Sequence, residues 1–165
     1  MTRTTIVIRA FESRDARAVA DLNRAWLDQF NLREPIDDRF LADPAGEVIV
    51  PGGAIFIAEI DGRVAGTCAI APHDDAVFEI VKLAVAPEAK GRGIGRQLIA
   101  ACLSFARGRG ARRAVLVSNS QLTTAIRIYE QMGFVHRPLP PDQPYLTADV
   151  YMERDVESAR DDGLK

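Results

Sequence analysis

The sequence predicts a single-domain α/β fold in which helices cover both faces of one mixed sheet. Short runs rich in β-branched residues alternate with amphipathic stretches along 165 residues, a length typical of one domain. Glycine or proline lies at most of the junctions between these stretches. The apolar fraction of 47% is ordinary for a globular protein and sufficient for a buried core.

The first half of the chain predicts a strand, two helices and a hairpin. The opening strand is "TTIVIRAF". A helix capped by Ser13 follows, because apolar residues between Ala16 and Phe30 recur at helical spacing. A short second helix is expected near "DDRFLADP". Asp61-Gly62 then joins the strands "AIFIAEI" and "RVAGTCAIA", since this dipeptide favours a two-residue hairpin turn.

The second half predicts strands and helices in alternation. The strands are "AVFEIVKLAV", "RAVLVSN" and "TADVYMER", and two helices between them end near Gly108 and Gly133. The predicted order of elements is β-α-α-β-β-β-α-β-α-β. We assign the folded domain to residues 1–154 and expect residues 155–165, which are rich in charge, to form a solvated tail.

The composition argues against several classes of function. A net charge of −2 does not suggest a nucleic-acid-binding protein. No apolar run reaches the roughly 18–20 residues of a membrane span, and no signal-like segment opens the chain, so we expect a cytoplasmic protein without membrane partners. Cys68 and Cys102 have small, apolar neighbours, which predicts reduced, buried thiols. No metal site is expected, because no His, Cys and Asp cluster has ligand spacing.

A basic, glycine-rich loop, "KGRGIG", follows directly on the apolar run "VKLAV". Glycine lets a ligand approach the backbone, and the first N–H groups of the following helix have no partners of their own. Lys90, Arg92 and Arg96 add positive charge to the helix dipole. The loop therefore predicts a binding site for a phosphate or pyrophosphate.

The glycine spacing separates three kinds of phosphate loop. No Lys-Ser or Lys-Thr follows the glycines, as a Walker loop requires. The spacing G-x-G-x-G and the absence of an acid after "VLVSN" disagree with a dinucleotide-binding fold. The segments "EIVKLAVAPEAKGRGIGRQLI" and "AIRIYEQMGF" instead resemble the GCN5-related N-acetyltransferase (GNAT) superfamily, and the order of elements over most of the chain also fits that fold.

This resemblance implies a central strand that carries a bulge and splays from its neighbour to admit acetyl-coenzyme A as co-substrate. The backbone of Leu83, Ala84 and Val85 would pair with the pantetheine arm, and the N–H of Val85 would stabilise the oxyanion. The residues that would hold the pyrophosphate are Lys90, Gly91, Arg92, Gly93, Ile94, Gly95 and Arg96. Lys90 stands where the family usually has Gln or Arg.

The resemblance also suggests two catalytic residues. Tyr129 lies four residues before Gly133, where a phenol could protonate the leaving thiolate; the alternative is a core tyrosine. Glu79 lies in an otherwise apolar strand, six residues before Val85. It could be the general base for the acceptor amine, often through water, but it could also bind the substrate's cation or pair with Lys82 or an arginine.

Other residues are candidates for binding the cofactor or the acceptor. Asn119 is ten residues before Tyr129 rather than the seven usual in the family, so it could bind the cofactor or serve in a turn. The acceptor would be lined by the first two helices, and the candidates there are Asn23, Trp26 and Glu34. Asp37 and Asp38 could attract a cationic amine there, but a solvated face is slightly favoured for them. His73, in a loop, and His136 are expected at the surface.

The sequence thus predicts an N-acetyltransferase that moves the acetyl group of acetyl-coenzyme A to a primary amine by direct attack. Its acceptor would be a small molecule or a peptide, and a homodimer is common in the family. The alternatives are transfer of a longer acyl group and a coenzyme A-binding sensor without turnover. The presence of both Glu79 and Tyr129 disfavours the sensor.

Overall fold

A computed structural model describes residues 5–156, which form one seven-stranded sheet with helices on both faces. The strands are β1 (Ile6–Ala10), β2 (Ala54–Ile60), β3 (Arg63–Asp74), β4 (Val77–Val85), β5 (Arg113–Ser118), β6 (Val135–Arg137) and β7 (Val150–Asp155). The helices are α1 (Ala16–Gln29), α2 (Pro35–Ala42), α3 (Ile94–Gly108) and α4 (Thr123–Gln131). The order across the sheet is β1-β2-β3-β4-β5-β7-β6, and only β4 and β5 pair in parallel. The predicted fold class is confirmed.

Two hydrophobic cores lie on opposite faces of the sheet. Helices α1 and α2 bury Val19 and Phe40 against Ile55 and Ile57 of β2. Helices α3 and α4 contribute to the larger core on the other face, whose members include Leu98, Cys102, Ala125, Tyr129, Cys68, Ile80 and Leu83. Cys68 and Cys102 are free and buried, as predicted. The cores hold the central strands between two helical layers, because each layer has one apolar side.

The strands β4 and β5 pair only at their beginnings. Residues Val77 to Glu79 pair with Arg113 to Val115, and β4 then continues beside β3 alone. Strand β5 meanwhile stays paired with β7 as far as Ser118. A wedge-shaped gap therefore opens between β4 and β5 beyond Glu79, and the predicted splay is confirmed.

A bulge in β4 lies beside this gap. Val81 is opposite Ala69 and Ala84 is opposite Thr67, so two residues of β4 face one residue of β3. Lys82, within the bulge, has a φ of 57°, which is uncommon for a residue other than glycine. A bulge bends its strand and redirects the side chains. Here it accompanies the departure of β4 from β5.

Several local predictions were wrong. Ser13 lies in a short 3₁₀ turn, and α1 begins at Ala16 with the buried Asp15 before it. His73 belongs to β3 rather than to a loop. The edge strand β6 was missing from the predicted order of elements, although a short strand at "GFV" was expected before His136; all three residues of β6 are exposed and show no apolar alternation.

The predicted domain boundary falls inside an element. Strand β7 continues through Asp155, so that residue belongs to the sheet. Apart from Asp155 and Val156, the predicted tail lies outside the described residues. Within residues 5–156, no helix combines the length and apolarity needed to cross a bilayer, and no three His, Cys, Asp or Glu side chains gather as metal ligands.

Candidate active site

The glycine-rich loop presents unpaired backbone N–H groups at the start of α3. Gly91 and Gly93 have φ values of 82° and 76°, which glycine adopts without strain. The first hydrogen bond of the helix runs from the N–H of Gln97 to the carbonyl of Gly93, at 3.2 Å. The N–H groups of the three preceding residues, positions 94–96, therefore have no partner inside the helix. These donors and the helix dipole suit an anion.

A cavity of about 430 Å³, the loop cavity, lies in front of these N–H groups. Its walls include Trp26 of α1, Phe30 just after that helix, and the first turn of α4. The predicted cofactor residues that line it are Leu83, Val85, Lys90, Gly91, Gly93, Ile94, Gly95 and Arg96. Arg92 lies instead in a different depression with Arg63 and Glu88. Arg92 is not among the residues that line the loop cavity.

A second cavity of about 110 Å³, the cleft cavity, fills the gap between β4 and β5. Trp26, Leu83 and Leu122 line both cavities, so the two share a wall. The remaining lining of the cleft cavity comes from α1, α2, both strands, α4 and the loop before β7. The glycine-rich loop and the gap are therefore adjacent.

The backbone of β4 offers hydrogen-bonding groups to the gap. The N–H of Ala86 donates to the carbonyl of Ala65 in β3, at 2.8 Å. Successive backbone N–H groups of a strand point to opposite edges, so the N–H of Val85 is directed away from β3 and toward the gap. Ala84 pairs with Thr67 of β3 and lines neither cavity. Val85 is thus better placed than Ala84 to contact a ligand.

Tyr129 lies on α4 and lines the cleft cavity. Its ring packs edge-on against Phe134, with ring centroids 5.9 Å apart. No hydrogen bond of its hydroxyl is present among the described residues, which also contain no unpartnered oxygen sealed from solvent, so the hydroxyl keeps some access to solvent. Burial raises the pKa of Tyr129 well above its ordinary value, helped by the nearby Cys68 and Cys102. The phenol is therefore protonated at neutral pH.

Glu79 lies where β4 and β5 part. Its side chain is 22% exposed, and Nδ1 of His73 is 3.6 Å from its Oε1. Burial raises the pKa of Glu79, although the charges of His73 and Lys82 oppose this. Glu79 does not itself line the cleft cavity, but Lys82 and Tyr145, which influence it electrostatically, do. Glu79 can therefore act on a ligand there most simply through an intervening water molecule.

Lys82 and Asp37 form a buried ion pair at the wall of the cleft cavity. The ammonium also lies 3.3 Å from the hydroxyl of Tyr145 and 5.1 Å from the centroid of its ring. Asp37 was expected on a solvated face and is buried, whereas its neighbour Asp38 is exposed as expected. Lys82, the predicted alternative partner of Glu79, thus forms its ion pair with Asp37 instead.

Glu34 ties the loop before β7 to α2 rather than pointing freely into a cavity. Its carboxylate accepts hydrogen bonds from the N–H groups of Leu146 and Thr147, each at 2.8 Å, and from the hydroxyl of Thr147 at 2.5 Å. Burial alone would raise the pKa of Glu34. The hydrogen bonds from Thr147 and Leu146, helped by the charge of Lys82, outweigh burial and lower it. A direct role of Glu34 in substrate binding is therefore not favoured.

The remaining predicted ligand-binding residues all line the cleft cavity, but the two asparagines among them already have hydrogen-bond partners. Asn23 and Trp26 both line the cleft cavity, and the amide of Asn23 donates to the carbonyl of Val19 at 2.9 Å. Asn119 also lines it, but its amide donates to the carbonyl of Thr147 and its oxygen accepts from the N–H of Gln121. The side chain of Asn119 thus serves in a turn.

Sequence reasoning missed the contribution of Lys82, Tyr145 and Thr147 to the site. Lys82 alone carried a signal, since a lysine inside an apolar strand is as unusual as the neighbouring Glu79. Tyr145 and Thr147 lie in a proline-rich segment without periodicity, and only the folded chain brings them to α2.

The chain matches the model of the Acetyltransferase (GNAT) family over residues 17–134. It is 34% identical over 131 residues to a mycothiol acetyltransferase of Thermomonospora curvata, an alignment that covers 78% of this chain and 44% of the relative. The chain spans about half the length of the curated relatives that it matches.

Solved structures share the fold at lower identity. A GNAT-family acetyltransferase from Staphylococcus aureus Mu50 superposes with a TM-score of 0.84 and 17% identity, covering 93% of this chain and all of that one. A putative acetyltransferase, yncA, from Salmonella typhimurium, determined with acetyl-CoA, gives a TM-score of 0.75 and 21% identity over 92% of this chain and 94% of that one.

Proposed function

The chain belongs to the acetyltransferase (GNAT) family, and from that premise we propose that it transfers the acetyl group of acetyl-coenzyme A to a primary amine by direct attack. One observation carries the proposal: the loop cavity and the cleft cavity have three lining residues in common, so the basic, glycine-rich loop lies next to the gap in the sheet. A long ligand with a phosphate at one end and a reactive group at the other fits this arrangement. Coenzyme A thioesters have that form.

The residues present fit such a co-substrate. The free N–H groups at positions 94–96 and the charges of Lys90 and Arg96 would hold the pyrophosphate. The backbone of Leu83 and Val85 would pair with the pantetheine amides along the open edge of β4. Trp26, on the shared wall, would cover the arm near the thioester. The acetyl group would then lie in the cleft cavity.

Three groups of the site would carry out the proposed chemistry. The N–H of Val85 donates to the thioester carbonyl oxygen and stabilises the negative charge that develops there. Glu79 accepts a proton from the amine through a water molecule, which its raised pKa suits. Tyr129, protonated and at the wall of the cleft cavity, gives its proton to the departing sulfur and recovers one that the attacking nitrogen releases.

The size of the cleft cavity favours a small acyl group. About 110 Å³ is available between the strands, and Ile80, Leu83, Leu122 and Tyr129 wall it with bulky side chains. A longer acyl chain would need these side chains to move apart. The acceptor would approach between α1, α2 and the loop that carries Tyr145.

Release of free thiol during turnover tests the proposal. The purified protein would be incubated with acetyl-coenzyme A and a panel of amines: amino acids, amino sugars, polyamines and short peptides with free N-termini. We expect thiol release above background with at least one amine, and a weaker response with butyryl-coenzyme A. Thiol release that is independent of every amine would contradict transfer to an amine.

A further inference from the structure

His73 lies beside Glu79 at the point where β4 leaves β5. Ala71 of β3 is opposite Glu79 of β4, and the pairing becomes irregular between Pro72 and Asp74. That irregularity accompanies the approach of the imidazole to the carboxylate, with Nδ1 of His73 3.6 Å from Oε1 of Glu79. The proposed reaction so far gives this imidazole no role.

The pair connects a sheltered group with solvent. The side chain of Glu79 is 22% exposed, and that of His73 is 52% exposed. A half-buried carboxyl group that takes up a proton in each catalytic cycle must also lose one. The more exposed imidazole offers a path for that proton which does not cross the cavity occupied by the substrates.

The other groups that face Glu79 are less suited to carry its proton. Lys82, on the same strand, is paired with Asp37. Tyr145, from the loop before β7, and Tyr151, from β7, both have a raised pKa because of burial, so they keep their protons near neutral pH. Histidine is the side-chain type that exchanges protons in that range.

We propose that His73 receives from Glu79 the proton that the acceptor loses and releases it to solvent. This inference rests on the proposed function. An alkylammonium acceptor and an acetyl thioester yield an amide, a thiol and one proton. The nitrogen loses two protons in all: one restores Tyr129 after it has protonated the sulfur, and Glu79 takes the other through water and passes it to Nδ1 of His73. The imidazolium then loses the proton on Nε2 to bulk water, so that both side chains return to their starting states after tautomer exchange.

His73 acts through Glu79 and is therefore a positioning residue in the acid–base step. The test compares His73→Gln and His73→Ala with His136→Gln. The sequence contains two histidines, and His136 is a matched control because its side chain is also 52% exposed and pairs with a glutamate, Glu130, at 2.8 Å on the edge of the sheet.

In dilute buffer we expect kcat of both His73 variants to fall about tenfold, while KM for acetyl-coenzyme A is unchanged. Added imidazole should restore most of kcat in His73→Ala, because a free base can then accept the proton. His136→Gln should behave like the wild-type protein. Melting temperatures would check that all three variants are folded.

The pH profile gives a second readout that a merely structural role would not move. The positive charge of a protonated His73 lowers the pKa of Glu79. Its loss should raise that pKa, so the acidic limb of kcat/KM should shift to higher pH in His73→Gln.

Three results would decide against the inference. Wild-type kcat in the His73 variants, or a loss of kcat that no buffer restores, would overturn it while leaving the proposed function intact. A wild-type protein that acetylates no amine would overturn the proposed function, and the inference with it.

Discussion

Lys82 and Asp37 form an ion pair that is almost closed to solvent, with side chains 9% and 2% exposed. The pair joins the bulge of β4 to the first turn of α2, 45 residues away in sequence. Asp37 also accepts a hydrogen bond from the N–H of Glu34 at 2.8 Å, and Glu34 holds the loop before β7. The bulge, α2 and that loop are therefore fixed as one unit around the cleft cavity.

Asp37→Asn should destabilise the fold, because it leaves the charge of Lys82 buried without a counter-ion. We expect the free energy of unfolding to fall by about 3 kcal/mol, measured by denaturant titration. Asp21→Asn is the matched control, since Asp21 pairs with Arg24 at 3.2 Å on the exposed side of α1. That change should cost less than about 1 kcal/mol. Equal and small losses would contradict the account of the buried pair.

Glu34→Gln should change how stability depends on pH. Folding lowers the pKa of Glu34 from its ordinary value of 4.5, so the ionised carboxylate stabilises the fold above that pH. The contribution is lost as the pH falls through the lowered, folded-state value. We expect the variant to be less stable at pH 7 by about 1–3 kcal/mol.

The difference between the two proteins should shrink when unfolding is followed from pH 7 to pH 3. The pKa of Asp15 is lowered chiefly by its hydrogen bond with Arg9, so Asp15 also makes stability depend on pH. This contribution is the same in both proteins and cancels when their stabilities are compared. A difference that stays constant over this pH range would show that the charge of Glu34 does not matter.

Signals that are local in the sequence predicted most of the helices and strands and the glycine-rich loop beside the loop cavity. The turn at Asp61-Gly62, with φ values of 49° and 81°, and the loop glycines are determined by a few neighbouring residues. The environment of Glu34 and Asp37 depends on partners 45 or more residues away, which no local pattern identifies.

The splayed strand was predictable only through the resemblance to a family. Apolar alternation indicates that β4 is a strand but does not show where it stops pairing with β5. His73 follows "IAP", whose proline favoured a loop, and yet β3 extends through Asp74. The side chain of His73 approaches Glu79 because β3 and β4 pair there and the pairing is irregular. Sequence alone does not reveal such a contact.

Tyr129→Phe should lower kcat without weakening cofactor binding. The change removes the proposed proton donor but keeps the ring that packs against Phe134. We expect kcat to fall by about a hundredfold and the melting shift caused by acetyl-coenzyme A to match that of the wild-type protein. A fall in kcat accompanied by a lost melting shift would instead assign Tyr129 a packing role.

Trp26 should report binding at the loop cavity. It is the one tryptophan in the sequence, and Nζ of Lys90 lies 5.2 Å from its ring centroid. Because acetyl-coenzyme A would attract Lys90 and cover the ring, its addition should change the tryptophan emission. Lys90→Gln should weaken binding about tenfold, equivalent to about 1.4 kcal/mol.

Arg92→Gln provides a control with the same loss of charge in the same loop. Arg92 lines a depression other than the loop cavity, so its replacement should change the dissociation constant by less than about threefold. Equal losses in the two variants would show that only the net charge of the loop matters.

Thermal unfolding with and without acetyl-coenzyme A, with NAD and ATP as comparison ligands, tests whether the loop cavity binds a coenzyme A thioester. A ligand that binds only the folded state stabilises it by RT ln(1 + [L]/Kd), about 2.7 kcal/mol at a hundredfold excess over Kd. We predict a clear rise in melting temperature with acetyl-coenzyme A and none with NAD. An unchanged melting temperature at millimolar acetyl-coenzyme A would contradict the assignment of the loop cavity and the roles proposed for Val85, Glu79 and Tyr129.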